Sequence, residues 1–265
     1  MGNLATILRS VVWAGIVVAA LGACAGARAE QPMDYTHTLL LRRPLMEQEI
    51  EMQMGYRSGT LGKEADSTVA VDVRLLSRWQ IEMVCPLIYL DGPNAPSVAG
   101  VGDVVLENKV LLYFARERKL MLSAGVDVVL PTGSARGLGG AVGFSPFAVV
   151  GFKVGSFDIL ADIAYRTLFR PQSIGGDLQQ LTTGIAVAHP LTNRLTPFLE
   201  LTTATNISAA RGLDALLIGR PQVYATPGLN VLIKPGVEFL LGVQTPLRAA
   251  RTFDVGGRIG LIVDF

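Results

Sequence analysis

In several segments of the sequence, charged residues lie two or four positions apart, a spacing that gathers them on one face of a β-strand. In residues 157–167, Asp158, Asp162 and Arg166 alternate with apolar residues. Successive side chains of a strand point to opposite faces, so this parity separates a polar face from an apolar one. Twelve residues fall on the polar face by this rule: Glu49, Glu51, Asp72, Arg74, Glu82, Asp127, Asp158, Asp162, Arg166, Glu200, Glu238 and Arg258. Such a face would line a polar pore and tune its selectivity, or its charges would pair and fill a narrow interior that conducts nothing. Both interpretations stay open at the level of the sequence.

The sequence gives little indication of a catalytic, metal-binding or nucleotide-binding site. The two histidines, His37 and His189, have no serine partner at strand spacing, so no nucleophile and base are brought together. Histidine and cysteine never cluster, which argues against a metal site. The glycine-rich stretches GVGD and PTGSARGLGG neither open a helix nor precede GK[ST], and a net charge of +1 provides no basic patch. We therefore predict no catalytic residues, no cofactor, no metal and no nucleic-acid partner.

Strands account for most of the chain after residue 45. In 120–130, Leu120, Leu122 and Val126 alternate with Ser123 and Asp127, a period of two rather than 3.6. Segments of this kind, bounded by turn residues, predict about twelve strands, with ten or fourteen as alternatives. The predicted strands are 46–57, 67–76, 78–89, 103–114, 120–131, 145–154, 156–167, 178–189, 194–204, 220–232, 236–246 and 253–265.

The connections between these strands alternate between short and long. LLSR, ARERK, VGS, HPLTN and IKPG are short, whereas RSGTLGKEADS, PTGSARGLGGAVGFS and TATNISAARGLDALLIGR are long. Tight turns at one rim and longer loops at the other are typical of an outer-membrane β-barrel. A soluble β-sandwich shows the same alternation. Four observations favour the all-β, antiparallel transmembrane barrel over the sandwich. They are the strand length, the unequal loops, the export signal described below, and a composition of 50% hydrophobic and 17% charged residues.

The first residues have the layout of a secretory signal peptide. Arg9 precedes an apolar stretch over 11–23, and Ala27-Arg28-Ala29 provides a cleavage site after Ala29. The sequence LGAC at 21–24 also resembles a lipoprotein signal in which Cys24 is lipidated. We thus expect a signal peptide over 1–29, an N-terminal segment over 30–45 that lies in the periplasm or plugs the lumen, and a barrel over 46–265. This organisation implies the outer membrane of a Gram-negative-type cell, with its lipid as a partner.

The chain ends on an aromatic residue, Phe265, at the end of an alternating strand. The last strand of a barrel must close against the first. A terminal phenylalanine in that position resembles the signal by which the barrel-assembly machinery recognises its substrates. Phe265 is therefore our candidate for a barrel-insertion signal.

Several stretches are similar to a family of outer-membrane transporters associated with the meta pathway of phenol degradation. They are GVGDVVLENKVLL (100–112), LSAGVDVVLPTGS (122–134) with GLGG (137–140), TPGLNVLIKPGVEFLLGVQTPL (226–247) and VRLLSRWQIEMVCPLIY (73–89). The resemblance covers most of the mature chain and implies a single-chain barrel that transports small hydrophobic or aromatic molecules. The alternatives are a non-conducting structural or adhesive barrel and a barrel enzyme.

Overall fold

A computed structural model describes residues 35–59, 62–91, 97–134, 138–170, 176–210 and 215–265. The signal peptide, its cleavage site and Cys24 lie outside these residues. The strands are β1 (Glu49–Gly59), β2 (Gly62–Leu76), β3 (Trp79–Asp91), β4 (Val98–Val101), β5 (Val104–Ala115), β6 (Leu120–Leu130), β7 (Val142–Val154), β8 (Phe157–Phe169), β9 (Leu178–Ala188), β10 (Leu195–Ala209), β11 (Gln222–Lys234), β12 (Val237–Pro246) and β13 (Val255–Asp264). Among the described residues there is no helix of sufficient length and apolarity to cross a bilayer.

The strands form one closed antiparallel barrel. Apart from β4, each strand pairs with the strands before and after it in the chain, and β13 returns to pair with β1 from Glu49↔Asp264 to Ser58↔Val255. The short β4 and the longer β5 pair with successive parts of β3 and together occupy one position in the wall. The barrel therefore has twelve positions, which confirms the predicted fold and strand number. Closure pairs the first strand with the last, so neither leaves its edge unpaired.

The two rims differ as predicted. Short connections at 77–78, 116–119, 155–156, 189–194 and 235–236 lie at one rim, where β1 also begins and β13 ends. We call this the short-turn rim and the opposite one the long-loop rim. The prediction missed β4 and the end of β10, which extends to Ala209. It was also wrong at 57–67, because this stretch consists mostly of the paired ends of β1 and β2 and is not a long loop. Its polar residues alternate: Glu64 and Asp66 face the lumen, where both accept hydrogen bonds from Arg57, at 3.0 and 3.2 Å.

Side chains of opposite character cover the two faces of the wall. Large apolar side chains such as Met54, Leu112, Ile163, Ile185 and Val243 point outward and are exposed on strands around the barrel. Charged and amide side chains point inward, and many of them are buried. An apolar exterior around a polar interior is the reverse of a soluble protein and is the arrangement that lipid requires. The chain has the fold of an outer-membrane β-barrel.

Candidate functional site

The lumen contains residues 35–48, which we call the inner segment. Its backbone is not paired in a ladder, so its polar groups need partners from the wall. The Leu40 N–H donates to Glu200 Oε1 at 2.8 Å, and the Thr36 N–H donates to Asp158 Oδ2 at 2.9 Å. The Tyr35 hydroxyl lies 2.8 Å from the carbonyl oxygen of Gly151, on β7. These partners lie on β10, β8 and β7, whereas His37 lies 2.8 Å from Glu238 on β12, nearly opposite β7 in the strand order, so the inner segment lies across the lumen.

Apolar side chains of the inner segment pack into the wall. Tyr35, Leu41 and Leu45 form one buried cluster with Met121 and Leu160. Leu39 forms a second cluster with residues of β9, β10, β12 and β13.

Wall glycines provide the space for this packing. A Cβ at Gly184 would lie 3.0 Å from Leu41, and one at Gly242 would lie 2.6 Å from Leu39. The missing side chains of the wall are thus replaced by side chains of the inner segment.

Six carboxylates stand opposite one another on six adjacent strands. The pairs are Asp264↔Glu49, Glu49↔Asp72, Asp72↔Glu82, Glu82↔Glu107 and Glu107↔Asp127. We call these six residues the carboxylate row. Like charges directly opposite in a sheet destabilise it unless counter-charges intervene. The row therefore needs cations from elsewhere in the molecule.

Arg42 of the inner segment supplies positive charge at one end of the row. Its guanidinium donates to Glu107 at 2.7 Å, to Asp127 at 2.7 Å and to Asp162 at 3.1 Å. It also lies 4.3 Å from the centre of the Phe147 ring. A guanidinium presents its donors in a rigid plane, which suits contact with several carboxylates at once. Arg42 thus ties the inner segment to three strands, β5, β6 and β8.

Arg43 and His37 supply charge at the other end of the row. Arg43 donates to Glu47 at 2.5 Å and to Glu49 at 3.0 Å. His37 lies 3.0 Å from Glu49 and 2.8 Å from Glu238, one carboxylate on each ring nitrogen. Burial and the nearby Arg43 lower the pKa of His37, but the two carboxylates outweigh them and raise it to about 10. His37 is therefore a cation at neutral pH.

We expect the stabilisation from His37 to depend on pH. Its pKa in the folded protein, about 10, lies above the ordinary value of 6.5 for the unfolded chain. The stabilisation is therefore complete below about pH 6.5 and is lost as the pH rises through about 10. The melting temperature of the full chain in detergent should exceed that of His37→Gln by most at pH 6, and the difference should disappear near pH 11. A difference that stays constant across this range would contradict the prediction.

The ligating atoms of His37, Glu47 and Glu49 lie within 4.8 Å of one another, a spacing that would suit a metal ion. Glu47 and Glu49 already accept hydrogen bonds from Arg43, and Lys109 Nζ lies 2.9 Å from Glu47. Burial raises the pKa of Glu47, but the positive charges of Arg43 and Lys109 outweigh burial and lower the pKa to about 2. A metal would have to displace Arg43, so this group functions as an ion-pair network.

A cavity of about 660 Å³ lies inside the barrel, against the inner segment. Its lining extends from Arg42 to residues near the long-loop rim, including Arg57, Gln222 and Gln244. Most of the lining side chains are charged, amide or hydroxyl groups. Among the described residues, the lining includes none from the five short turns. The inner segment lines the cavity with residues 37–43, and its Tyr35 hydroxyl lies 3.1 Å from the Lys119 carbonyl oxygen in a short turn, so it separates the cavity from the short-turn rim.

Thr252 and Phe253, which precede β13, line the cavity near the long-loop rim. Phe253 points into the lumen and is buried. Its ring stacks on Tyr224 inside the barrel, with centroids 4.6 Å apart, and the Thr252 N–H donates to the Tyr224 hydroxyl at 3.0 Å. β13 begins only at Val255, so Phe253 precedes the strand and does not follow its alternation.

The sequence-predicted polar residues all carry lumen parity in the observed register, and they divide into three groups. Those that contact the inner segment are Glu49, Asp127, Asp158, Asp162, Glu200 and Glu238. Those that otherwise line the cavity are Glu51, Asp72, Glu82, Arg166 and Arg258. Arg74 lies near the short-turn rim, opposite Gln80, and is not part of that lining. At the end of β13, the Phe265 N–H donates to the Gln48 carbonyl at 3.2 Å, which joins the two termini of the barrel; its role in insertion stays a prediction.

Sequence reasoning missed the cations that neutralise the row. Arg42, Arg43 and His37 lie outside any strand, so no period marks them. Glu107 and Lys109 lie on β5, whose alternation is obscured because Asn108, a polar residue, points outward and accepts a hydrogen bond from Trp79 at 2.9 Å. A count of lumen charges would have provided a signal, since acidic residues outnumber basic ones on the predicted polar face.

A serine and a histidine do meet, at the short-turn rim. Ser156 Oγ lies 3.1 Å from His189 Nδ1, and His189 stacks on Phe157. The strand spacing of the sequence did not reveal this contact because it joins two different turns. Within the described chain, no carboxylate hydrogen-bonds to His189 to orient it as a base. The pair is exposed and lies outside the cavity, so it lacks the surroundings of a catalytic site.

No family model matches the chain, and no curated protein matches it. Solved structures do match. An outer-membrane channel from Pseudomonas putida F1 is similar with a TM-score of 0.60 at 12% identity, covering 82% of this chain and 94% of the other. The NanC porin has a TM-score of 0.55 at 13% identity (82% and 98% covered), and the KdgM porin in complex with disordered oligogalacturonate 0.55 at 12% (82% and 99%). At this identity the likeness shows the fold.

Proposed function

We propose that the protein is an outer-membrane channel for small solutes whose lumen is closed by the inner segment acting as a plug. The observation that carries this proposal is the polar cavity of about 660 Å³ within the closed barrel. A barrel of about twelve strands lies between the small barrels that side chains fill and the wide porins. Here the wall leaves room, and a separate part of the chain occupies much of it.

The exterior and the relatives in fold support the same proposal. The outward apolar side chains suit a bilayer, which makes outer-membrane lipid the expected partner. The structures of similar fold are described as porins and as an outer-membrane channel. The outer-membrane location, export through residues 1–29 and insertion through Phe265 belong to this proposal.

Passage requires the inner segment to move, because it separates the cavity from the short-turn rim. Its contacts with the wall are mostly ion pairs and hydrogen bonds, together with the two apolar clusters. Polar contacts in a wet lumen can exchange partners with water at modest cost.

The resemblance noted in the sequence implies hydrophobic or aromatic solutes. The polar lining of the cavity modifies that expectation, because an apolar solute would leave the lining groups without partners. We propose that a transported solute has an aromatic or apolar body and at least one polar group.

The main alternative is a non-conducting structural or adhesive barrel. It is favoured by the density of ion pairs around Arg42 and Arg43, which makes the closed form stable. The two functions differ in whether the inner segment ever leaves the lumen.

Single-channel recording of the purified full chain in planar bilayers tests the proposal. We expect brief, infrequent openings at pH 7, which become more frequent as the pH approaches 10 and His37 loses its charge. A folded protein that is silent across this range, and remains silent when the inner segment is displaced by mutation, would establish the structural alternative.

A further inference from the structure

Arg166 differs from the other arginines that line the cavity. It lies on the lumen face of β8 and is exposed to the lumen. Its hydrogen bond within the described chain runs from Nε to Ser145 Oγ and is long, at 3.4 Å. The two terminal nitrogens of the guanidinium, which carry four N–H donors, have no acceptor among the described residues.

The other cavity arginines each contact carboxylates. Arg42 has three such partners, and Arg43 has two. Arg57 contacts Glu64 and Asp66, and Arg258 contacts Asp66 at 3.3 Å. Asp127, two strands from Arg166, is held by Arg42 at 2.7 Å. Among the cavity arginines, Arg166 is therefore the one whose guanidinium has no carboxylate in direct contact within the described residues.

The groups beside Arg166 are neutral and can form hydrogen bonds. In the wall register, Gln180 lies directly opposite it on β9, and Ser145 lies beside it on β7. Gln180 donates to Asn206 at 2.8 Å, and Thr182 follows on the same lumen face. A planar guanidinium flanked by hydroxyl and amide groups is complementary to a planar anion with two oxygen atoms, such as a carboxylate.

We propose that Arg166, positioned by Ser145 and flanked by Gln180, binds the carboxylate of a small organic acid within the cavity. A single guanidinium neutralises a monoanion. A phosphate dianion would carry excess charge toward Asp127, Asp162 and the carboxylate row, which repel it. A cavity of this volume also accommodates a one-ring acid. The inference names a solute class for the proposed channel and rests on that function, although binding itself can be measured without conduction.

Calorimetric titration of the detergent-solubilised full chain tests the site, with sodium benzoate as the charged probe and benzyl alcohol as its neutral analogue. We expect Arg166→Gln to weaken benzoate binding by about 10- to 100-fold, the range for loss of a charged hydrogen bond. Binding of benzyl alcohol should not change. Arg166→Lys keeps the charge but loses the planar fork, and should give an intermediate affinity.

Arg248→Gln is the matched control. It removes the same charge from an exposed loop at the long-loop rim, and benzoate should bind it as it binds the unmodified chain. Equal benzoate affinity in Arg166→Gln, or no benzoate binding by the unmodified protein, would overturn the inference. A protein that conducts but does not bind benzoate overturns this inference alone. One that binds benzoate but never conducts overturns the channel proposal and leaves the site in place.

Discussion

Arg42→Glu is expected to release the inner segment and open the channel. The substitution places a fourth carboxylate among Glu107, Asp127 and Asp162, two of which have side chains only 5% exposed. Removal of one partner from a buried ion pair costs about 3–5 kcal/mol, and the reversed charge adds repulsion. An energy of about 3 kcal/mol corresponds to a more than 100-fold rise in the ratio of open to closed channels.

Single-channel recording measures this effect directly, as open probability and conductance. In a potassium chloride gradient, the reversal potential should show selectivity for cations, because the carboxylate row then lies exposed along the pore. The neutral variant Arg42→Gln should open less often than Arg42→Glu and more often than the unmodified chain.

Arg248→Glu provides the control for Arg42→Glu, since it makes the same change of charge in an exposed loop. It should leave the channel closed. The folded state of each variant can be verified by its altered gel mobility before heating. A folded Arg42→Glu protein with unchanged conductance would show that Arg42 does not hold the lumen closed.

The architecture of the wall was largely predictable because it follows from a local rule. The alternation in 120–130 and 157–167 requires only that one face meet lipid and the other meet the lumen. The same parity placed all twelve predicted polar residues on the lumen side. The prediction failed where charged residues obscured the local pattern: Lys63, Glu64 and Asp66 belong to β2, which begins earlier than the expected strand at 67–76.

The contents of the lumen were less predictable because they depend on contacts between distant parts of the chain. Arg42 meets Glu107, Asp127 and Asp162, which are 65, 85 and 120 residues away. The sequence TLLLRRP has no period that would indicate which wall residues it meets. The barrel register first brings the acidic residues into one row, and only then is the need for cations evident.

A substitution in the wall, away from any charge, provides an independent test of the plug. Gly184→Val is expected to displace the inner segment, because the three atoms nearest to an added Cβ all belong to Leu41, at 3.0–3.2 Å. Overpacking of a buried contact costs about 1–3 kcal/mol, which corresponds to a roughly 5- to 150-fold rise in open probability. Since no charge changes, this opening cannot arise from altered electrostatics of the pore.

Leu41→Ala supplies the partner for a double-mutant cycle. Alone, it removes a buried side chain at a cost of about 2–5 kcal/mol and should also favour the open channel. Combined with Gly184→Val, it gives back about the volume that the valine adds, so the double variant should be more closed than either single one. Additive effects on open probability would mean that Leu41 and Gly184 do not form the seat of the plug. Strong coupling between the two substitutions would link the contact of Leu41 with Gly184 to conduction, independently of any ion pair.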